Sequence, residues 1–495
     1  MPAIPGPSRP ASDGPQQRTL DPSDWAAFRR DAHRMLDEML SHVETIRERP
    51  LWQPAPAATR ARFDAPLPFE PRGLAVVLDD VRTHIVPYAT GNLHPRFMGW
   101  VHGAGTPVGM LAEMIAAGLN MNCGGRDHIG IEIERQITRW MAAVMGYPAT
   151  ASGVFLTGTS MANFLAVLVA KVAHNGVGTR AQGLQGTAQP LIAYTSGEAH
   201  GCIAQAMELA GIGSANLRNI GVDDAGRMDV AQLRAAIDTD RAAGLAPFLI
   251  VGSAGTVNTG AVDPLLAISE IAAREHLWFH IDGAIGALAM FAPTLRPLFD
   301  GIAKSHSIAL DFHKWGHVPY DAGFLLVADA AAHKRAFASP AAYLQRAERG
   351  LAAGDTWPCD LGPDLSRGAR ALKAWMTIAT LGTKRIGEAI RSNCELAQYF
   401  ASMIAAHPLL ELRAPVALNI VCFSVRSSGD TAAASALNRD IVLDLHEAGV
   451  AAPSWTTIDG CDVIRCALVN HRTTRADVDI VVDAITTRAE ARMRE

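Results

Sequence analysis

The sequence predicts an α/β protein: a mostly parallel central sheet covered by helices, followed by a smaller C-terminal α+β domain. Three observations carry that expectation. From about residue 105 to 385, short apolar runs alternate with stretches of helical periodicity, the order that buries strands between helical layers. Beyond about residue 386 the alternation gives way to two long helical patterns and two apolar stretches, "LNIVCFSVR" and "CDVIRCALVN". At 495 residues the chain also exceeds what one growing hydrophobic core serves, so two or more domains are expected.

Taken in order, residues 1–20 are rich in Pro, Ser and Gly and are expected to form a disordered tail. Residues 21–104 read as an N-terminal helical segment, with Asp21 as cap and Pro22 at the first helical position. Trp25, Phe28, Ala32, Met35, Met39, Val43 and Ile46 recur at steps of three and four, one face of a helix. That face serves a dimer or domain contact, or packs on the chain's own core. In the large domain (105–385) the strand candidates are "GVFLTG", "PLIAYTS", "PFLIVGSAG", "LWFHIDGA" and "AGFLLVAD". "MANFLAVLVAKVAHN" and "DPLLAISEIAAREH" between them read as helices. Residues 386–495 make the small domain.

Composition excludes several classes of function. With 49% hydrophobic and 19% charged residues the chain is a well-cored globular protein. A net charge of -5 gives no electrostatic footprint for nucleic acid or an anionic membrane. The seven cysteines are scattered without a CxxC pair, which argues against a disulfide framework and a zinc site, and no metal is expected. No apolar run reaches membrane-spanning length, and the N-terminus lacks the layout of a secretory signal; a soluble, cytoplasmic protein is expected.

Four features fall at the carboxyl ends of predicted strands, where open α/β sheets bind ligands. In "GVFLTGTSMANF" a strand ends, a hydroxyl-bearing turn follows and a helix begins. Helix-start N–H groups with the Thr159 and Ser160 hydroxyls would seat a phosphate, although a capped turn looks the same. "LWFHIDGAIGA" ends an apolar strand in Asp282, and the small Gly283 and Ala284 leave room for a flat ring. A buried carboxylate needs a cationic partner, either a ligand or a structural arginine. His200 of "SGEAHGC" follows a third strand. Lys314 of "SIALDFHKWGHVPYDAG" is either a surface lysine snorkelling past Trp315 or a covalent catalyst in a pocket. Pyridoxal phosphate asks for all four together: an anchor for its phosphate, an acid at its ring nitrogen, a flat face on its ring and a lysine to hold it covalently.

On these residues the chain resembles the group II pyridoxal-phosphate-dependent amino-acid decarboxylases, the family of aromatic-L-amino-acid, tyrosine, glutamate and diaminobutyrate decarboxylases. "DFHKW" (311–315) matches the cofactor-lysine motif, "AHGC" the ring-stacking histidine, and "HIDGA" (280–284) the segment with the ring-nitrogen aspartate. "GTSMAN" (158–163) stands where the family has a small turn followed by Glu, and "GTVNTGAVDP" (255–264) matches the loop before the aspartate strand. "HPRFMGW" and "SRGARALKAW" extend the likeness, which runs from about residue 21 to about 490. The resemblance implies an aspartate-aminotransferase-like, type I fold and a homodimer. It implies Lys314, Asp282 and His200 as catalytic residues, and Thr159, Ser160, Ala284, His313 and Thr256 as further cofactor contacts. Trp100, Arg126 and His128 fall on its substrate side.

The expected reaction is α-decarboxylation of an L-amino acid to an amine and CO2, an aromatic substrate being favoured. Two departures bear on it. Aromatic decarboxylases carry a proton-donating tyrosine shortly before the tryptophan matched by Trp357, but "RGLAAGDTWPCD" (349–360) has none, and the nearest is Tyr343. That departure is associated with aldehyde-forming side chemistry. In "GGRDHIGIEIE" (124–134), Arg126, Asp127 and His128 make the pocket polar, so that Arg126 reads an acidic or polar side chain or else enters a salt bridge. The alternatives are an aldehyde synthase, a carbon–carbon lyase of the same fold, or a non-catalytic scaffold.

Overall fold

The computed structural model describes residues 19–185, 189–339, 345–427 and 429–494. Residues 1–18 of the expected tail, and Tyr343, lie outside the described residues. Seven strands form the central sheet: β1 (Ser152–Leu156), β2 (Leu191–Ser196), β3 (Leu217–Ile220), β4 (Ala246–Ser253), β5 (Trp278–Asp282), β6 (Ser307–Asp311) and β7 (Gly323–Val327). Their order is β1-β7-β6-β5-β4-β2-β3. β7 runs antiparallel to both neighbours, and the pairs from β6 across to β3 are parallel. β2, β6 and β7 are buried at every residue, and β4 and β5 at all but their first. Such strands read as unbroken apolar runs because both faces are covered.

All five strands expected from the sequence are present. β3 was hidden because it is a four-residue edge strand whose middle, Arg218 and Asn219, is polar. β6 is the apolar run leading into Lys314.

Register aligns the carboxyl ends. Ser253 of β4 pairs with Asp282 of β5, and Asp282 with Ala309 of β6. Gly323 of β7 faces both Leu156 and Asp311. The Thr159–Asn175 helix starts at once beyond β1, and there the backbone of Gly158 nearly touches β7. A Cβ on Gly323 would lie 2.3 Å from the Gly158 Cα, so only glycine fits.

The C-terminal unit is a second sheet, entirely antiparallel, in the order β10-β11-β9-β8. β9 (Ile420–Val425) and β11 (Cys461–Ala467) are the two expected apolar stretches. β8 (Leu410–Leu412) and β10 (Ser454–Ile458) are short edges, and along β10 only Ser454 is buried, the rest alternating between exposed and partly exposed. The helices Thr431–Glu447 and Arg475–Arg492 pack on this sheet around their own core. A 37-residue helix, Arg370–Ala406, joins the two units and runs through position 386; its regular backbone is interrupted at Gly382 (φ 72°, ψ 153°). Residues upstream of the large sheet cross to the small one, where Met98 donates to the Ala452 carbonyl and accepts from Ala467 N.

The first helix spans Trp25–Glu44, and its cap is Asp24, not Asp21. Asp24 Oδ1 accepts from Ala26 N and Ala27 N at 2.9 Å, whereas Asp21 lies too far upstream to reach the first turn. No residue of this helix is buried, with Trp25 53% and Phe28 39% exposed, so its apolar face does not rest on the chain's own core.

One buried ion pair ties the stretch after residue 365 to the sheet. Arg367 Nη2 donates to Glu134 Oε1 (2.6 Å) and to the Phe155 carbonyl (2.7 Å), while Phe155 N donates to Glu134 Oε1 (2.8 Å). Both side chains are almost fully buried. Arg367→Leu leaves Glu134 a lone buried charge and should lower the unfolding free energy by about 3–5 kcal/mol. Equilibrium denaturation measures this, and a loss within 1 kcal/mol, order-of-magnitude noise for a surface change, would contradict it.

Candidate active site

A cavity of about 470 Å³ opens at the carboxyl edge of the central sheet. Lys314, Asp282, His200, Thr159, Ser160, Thr256, Ala284, His313 and Trp100 all line it. The turn after β6 aims Lys314 inward. Its Nζ lies 3.0 Å from Asp311 Oδ2, and that carboxylate, 3% exposed, also accepts from Thr159 N at 2.8 Å through Oδ1. Lys314 is thus ion-paired inside the cavity and does not run out past Trp315. The tryptophan points into the core, where its Nε1 donates to Asn393 Oδ1 at 3.1 Å. His313 accepts from Ala322 N through Nδ1 (3.0 Å), and burial lowers its pKa.

Asp282 closes β5. Oδ1 accepts from Ala284 N (3.1 Å) and Oδ2 from Asn163 Nδ2 (3.0 Å). Burial raises its carboxyl above the usual range, while the Ala284 N–H, the Lys314 charge and the Asn163 amide pull the other way. His200 begins the helical turn after β2, and its Nδ1 accepts from Cys202 N at 3.1 Å. Thr256 sits in the turn after β4, where its Oγ1 accepts from Ala261 N (3.1 Å).

The residues present fit pyridoxal phosphate. The Thr159 hydroxyl is buried at the helix start without a hydrogen-bond partner, an acceptor or donor held ready for a ligand. Beside it stand a cavity-facing lysine, a strand-end carboxylate and an imidazole, on four different elements of one edge.

The substrate side differs from expectation. Trp100, His102, Tyr320 and Trp455 make an aromatic wall. The Trp100 and His102 rings stack at 5.8 Å, and the Tyr320 ring lies 4.3 Å from that of His313. Trp100 adopts φ 50°, a strained conformation for a non-glycine residue. It is held there by Ser454 Oγ on its N–H (3.3 Å) and by Arg465 Nη1 on its carbonyl (2.9 Å).

Arg126 and His128 do not line the cavity of this chain. The Arg126 guanidinium lies 4.8 Å from the Trp357 ring centre. His128 caps the Ile129–Met145 helix, its Nδ1 accepting from Gly130 N at 3.2 Å. Residues 124–127 are tied to the segment around Trp357 instead, through Asp127 N on the Leu351 carbonyl and Cys359 N on that of Gly124.

Sequence reasoning missed Arg465, 3% exposed on β11. It donates to the carbonyls of Val257 (2.6 Å), Asn258 (3.0 Å) and Trp100, and among the described residues no carboxylate pairs with it. Its signal was a lone cation inside the apolar run "DVIRCALV". His102, Trp455 and Tyr320 carried no such signal, because they reach the cavity through three unrelated loops and strands.

Comparison with known proteins agrees with this geometry. The chain is 27% identical over 463 residues to an aromatic-L-amino-acid decarboxylase of Bacillus atrophaeus, covering 91% of this chain and 93% of that one. It is 28% identical over 493 residues to a 4-hydroxyphenylacetaldehyde synthase of Rhodiola rosea, covering 97% of each. The crystal structure of Oryza sativa TDC with PLP and tryptamine superposes with a TM-score of 0.87 at 26% identity, over 96% of this chain and all of the other. Residues 56–426 match the pyridoxal-dependent decarboxylase conserved domain, and the chain belongs to that family.

Proposed function

We propose that this pyridoxal-phosphate-dependent carboxy-lyase acts on an aromatic L-amino acid and releases the corresponding amine and CO2. The observation that carries the substrate class is the wall of Trp100, His102, Tyr320 and Trp455 on the open side of the cavity. Flat apolar rings there favour a flat apolar side chain.

When bound, pyridoxal phosphate supplies an electron sink for the charge left on Cα as CO2 departs. The chain's own residues do the rest. Lys314 would hold the cofactor covalently; its free ammonium has Asp311 as counter-charge. Asp282 would keep the ring nitrogen protonated, His200 would offer a flat surface to the ring, and the small Ala284 would leave room for it. Thr159, Ser160 and Thr256 hold the polar end with their hydroxyls, and His313 fills the wall beside Lys314. Arg465, a buried cation without a carboxylate, draws in the carboxylate of the amino acid.

A second reading, aldehyde formation, is favoured by the likeness to the aldehyde synthase and by the absence of tyrosine from residues 349–360. The two outcomes differ in whether Cα is protonated. An amine needs one proton at that carbon. An aldehyde needs O2 and water, and yields CO2, ammonia and hydrogen peroxide with it. Tyr320 is the phenol that the described cavity offers. Its pKa is pushed up to about 12, chiefly by burial, so it carries its proton at neutral pH. We assign Tyr320 as the donor.

Exposed apolar residues support a homodimer. Besides Trp25 and Phe28, Leu67 (93% exposed) and Phe69 (96%) project from the N-terminal segment. Large apolar side chains left this exposed are what a second copy would cover.

Four measurements test these readings. Lys314→Ala should fold, lose turnover and lose the borohydride-stable pyridoxyl label; a label mapping to another lysine overturns the assignment. Across a panel of amino acids with CO2, amine, aldehyde and peroxide measured, aromatic substrates should lead and the amine should dominate. Tyr320→Phe should then lower the ratio of amine to aldehyde on the order of tenfold or more, the scale of a lost general acid; an unchanged ratio removes Tyr320 from the role. Sedimentation equilibrium should give twice the chain mass, and a monomer that turns over at full rate refutes the dimer.

A further inference from the structure

Behind Asp282 runs a line of polar groups, buried except at its outer end on Trp278, none of which lines the cavity itself. Trp278 Nε1 donates to Ser307 Oγ at 2.9 Å. Ser307 Oγ lies 2.8 Å from His280 Nδ1, and His280 Nε2 lies 2.8 Å from Asn163 Oδ1. Asn163 Nδ2 then donates to Asp282 Oδ2 at 3.0 Å. The sheet builds this line directly. Trp278, His280 and Asp282 alternate along one face of β5, Ser307 is the register partner of His280 on β6, and Asn163 comes down from the helix crossing above.

The carboxylate end sets the direction: a charged Asp282 only accepts, so the Asn163 amide N–H faces it and the Asn163 carbonyl oxygen turns to His280 Nε2. An indole N–H can only donate, so the Ser307 oxygen accepts from Trp278, and the same hydroxyl stands against His280 Nδ1. Burial pushes the His280 pKa down to about 3, so the ring is neutral, and the Asn163 carbonyl oxygen facing Nε2 places its one proton there. The Asn163 carbonyl oxygen accepts that proton's hydrogen bond. His280 and Asn163 are fully buried amid Ala162, Leu165, Ala166 and Ile281, where an apolar side chain would spare the desolvation of two polar groups.

We infer that Asn163, locked by His280, is a positioning residue that holds Asp282 in its charged, acceptor-only form for the cofactor's ring nitrogen. The inference rests on the reading that Asp282 faces that nitrogen. The other groups around Asp282 do not replace the amide: the Ala284 N–H, the strongest of them, holds Oδ1 and leaves Oδ2 to Asn163. Lys314 and His200 act across the open cavity, and the Cys202 thiol, 4.0 Å away, is pushed up to about 12 and stays neutral. Loss of the Asn163 N–H therefore moves the Asp282 pKa further upward, toward neutral pH. A protonated carboxyl must release its proton before it can pair with the ring cation, so cofactor affinity should fall as pH falls.

The test is titration of pyridoxal phosphate onto cofactor-stripped enzyme between pH 6 and 8.5, read as Kd from fluorescence quenching, with circular dichroism to verify folding. Asn163→Leu should weaken Kd relative to wild type on the order of tenfold near pH 7, the worth of one charge-assisted hydrogen bond, with the ratio widening at lower pH. His280→Phe should move Kd the same way, and His280→Gln, which keeps an N–H for Asn163, should recover most of the loss. Asp282→Asn is the control. If it leaves Kd and its pH profile unchanged, the reading of Asp282 fails and the inference with it. If Asp282→Asn weakens binding but Asn163→Leu matches wild type at every pH, or His280→Gln is as impaired as His280→Phe, the positioning role is refuted. Should Asn163→Leu not fold, the two His280 variants decide by the same criterion.

Discussion

Two carboxylates, Asp282 and Asp311, are taken out of water at the ends of neighbouring strands, and much of the surrounding structure exists to make that tolerable. Neither charge would survive burial unaided. Asp311 is neutralised by Lys314 and fastened by Thr159 N, which also fixes the start of the helix after β1. Asp282 receives neutral donors instead, from Ala284 N and Asn163. The difference suits the two jobs. A carboxylate saturated by a lysine has finished its work, while one held by amides still has charge to offer a cation in the cavity.

The cavity is closed from the far side by a unit with its own core. Arg465 on β11 reaches across to the carbonyls of the loop after β4 and of Trp100, so one guanidinium sets the separation between the two sheets at the site. Carbonyl partners bind it without cancelling its charge. The strained backbone at Trp100 is sustained by the same contact, because a residue at positive φ persists only when its neighbours over-determine it.

Much of this was legible in the sequence, and what was hidden has physical reasons. Buried parallel strands announce themselves as apolar runs, and the ligand residues follow them by a few positions, so Lys314, Asp282, His200 and Thr159 could be read as one set. The edge strands β3, β8 and β10 could not, since half their residues face solvent and their alternation is short. Asp24 displaced Asp21 as helix cap because capping is decided within two or three residues, finer than a periodic pattern resolves. Arg126 and His128 were placed by analogy to a segment; in this chain the segment folds against Trp357 instead. Long-range meetings such as Asn163 with His280, or Arg465 with Trp100, leave no local pattern because the sheet order alone creates them.

Cys202 shares the cavity with Lys314, and both are groups that can attack a carbonyl carbon. With its thiol pushed up to about 12, first by burial and then by the Asp282 charge, Cys202 keeps its proton at neutral pH. Burial of the thiol, reinforced by the carboxylate beside it, thus acts as a guard on chemoselectivity. An aldehyde entering this cavity meets two potential nucleophiles but only one competent partner, and the sulfur is also shielded from the peroxide that any oxidative turnover would release next to it.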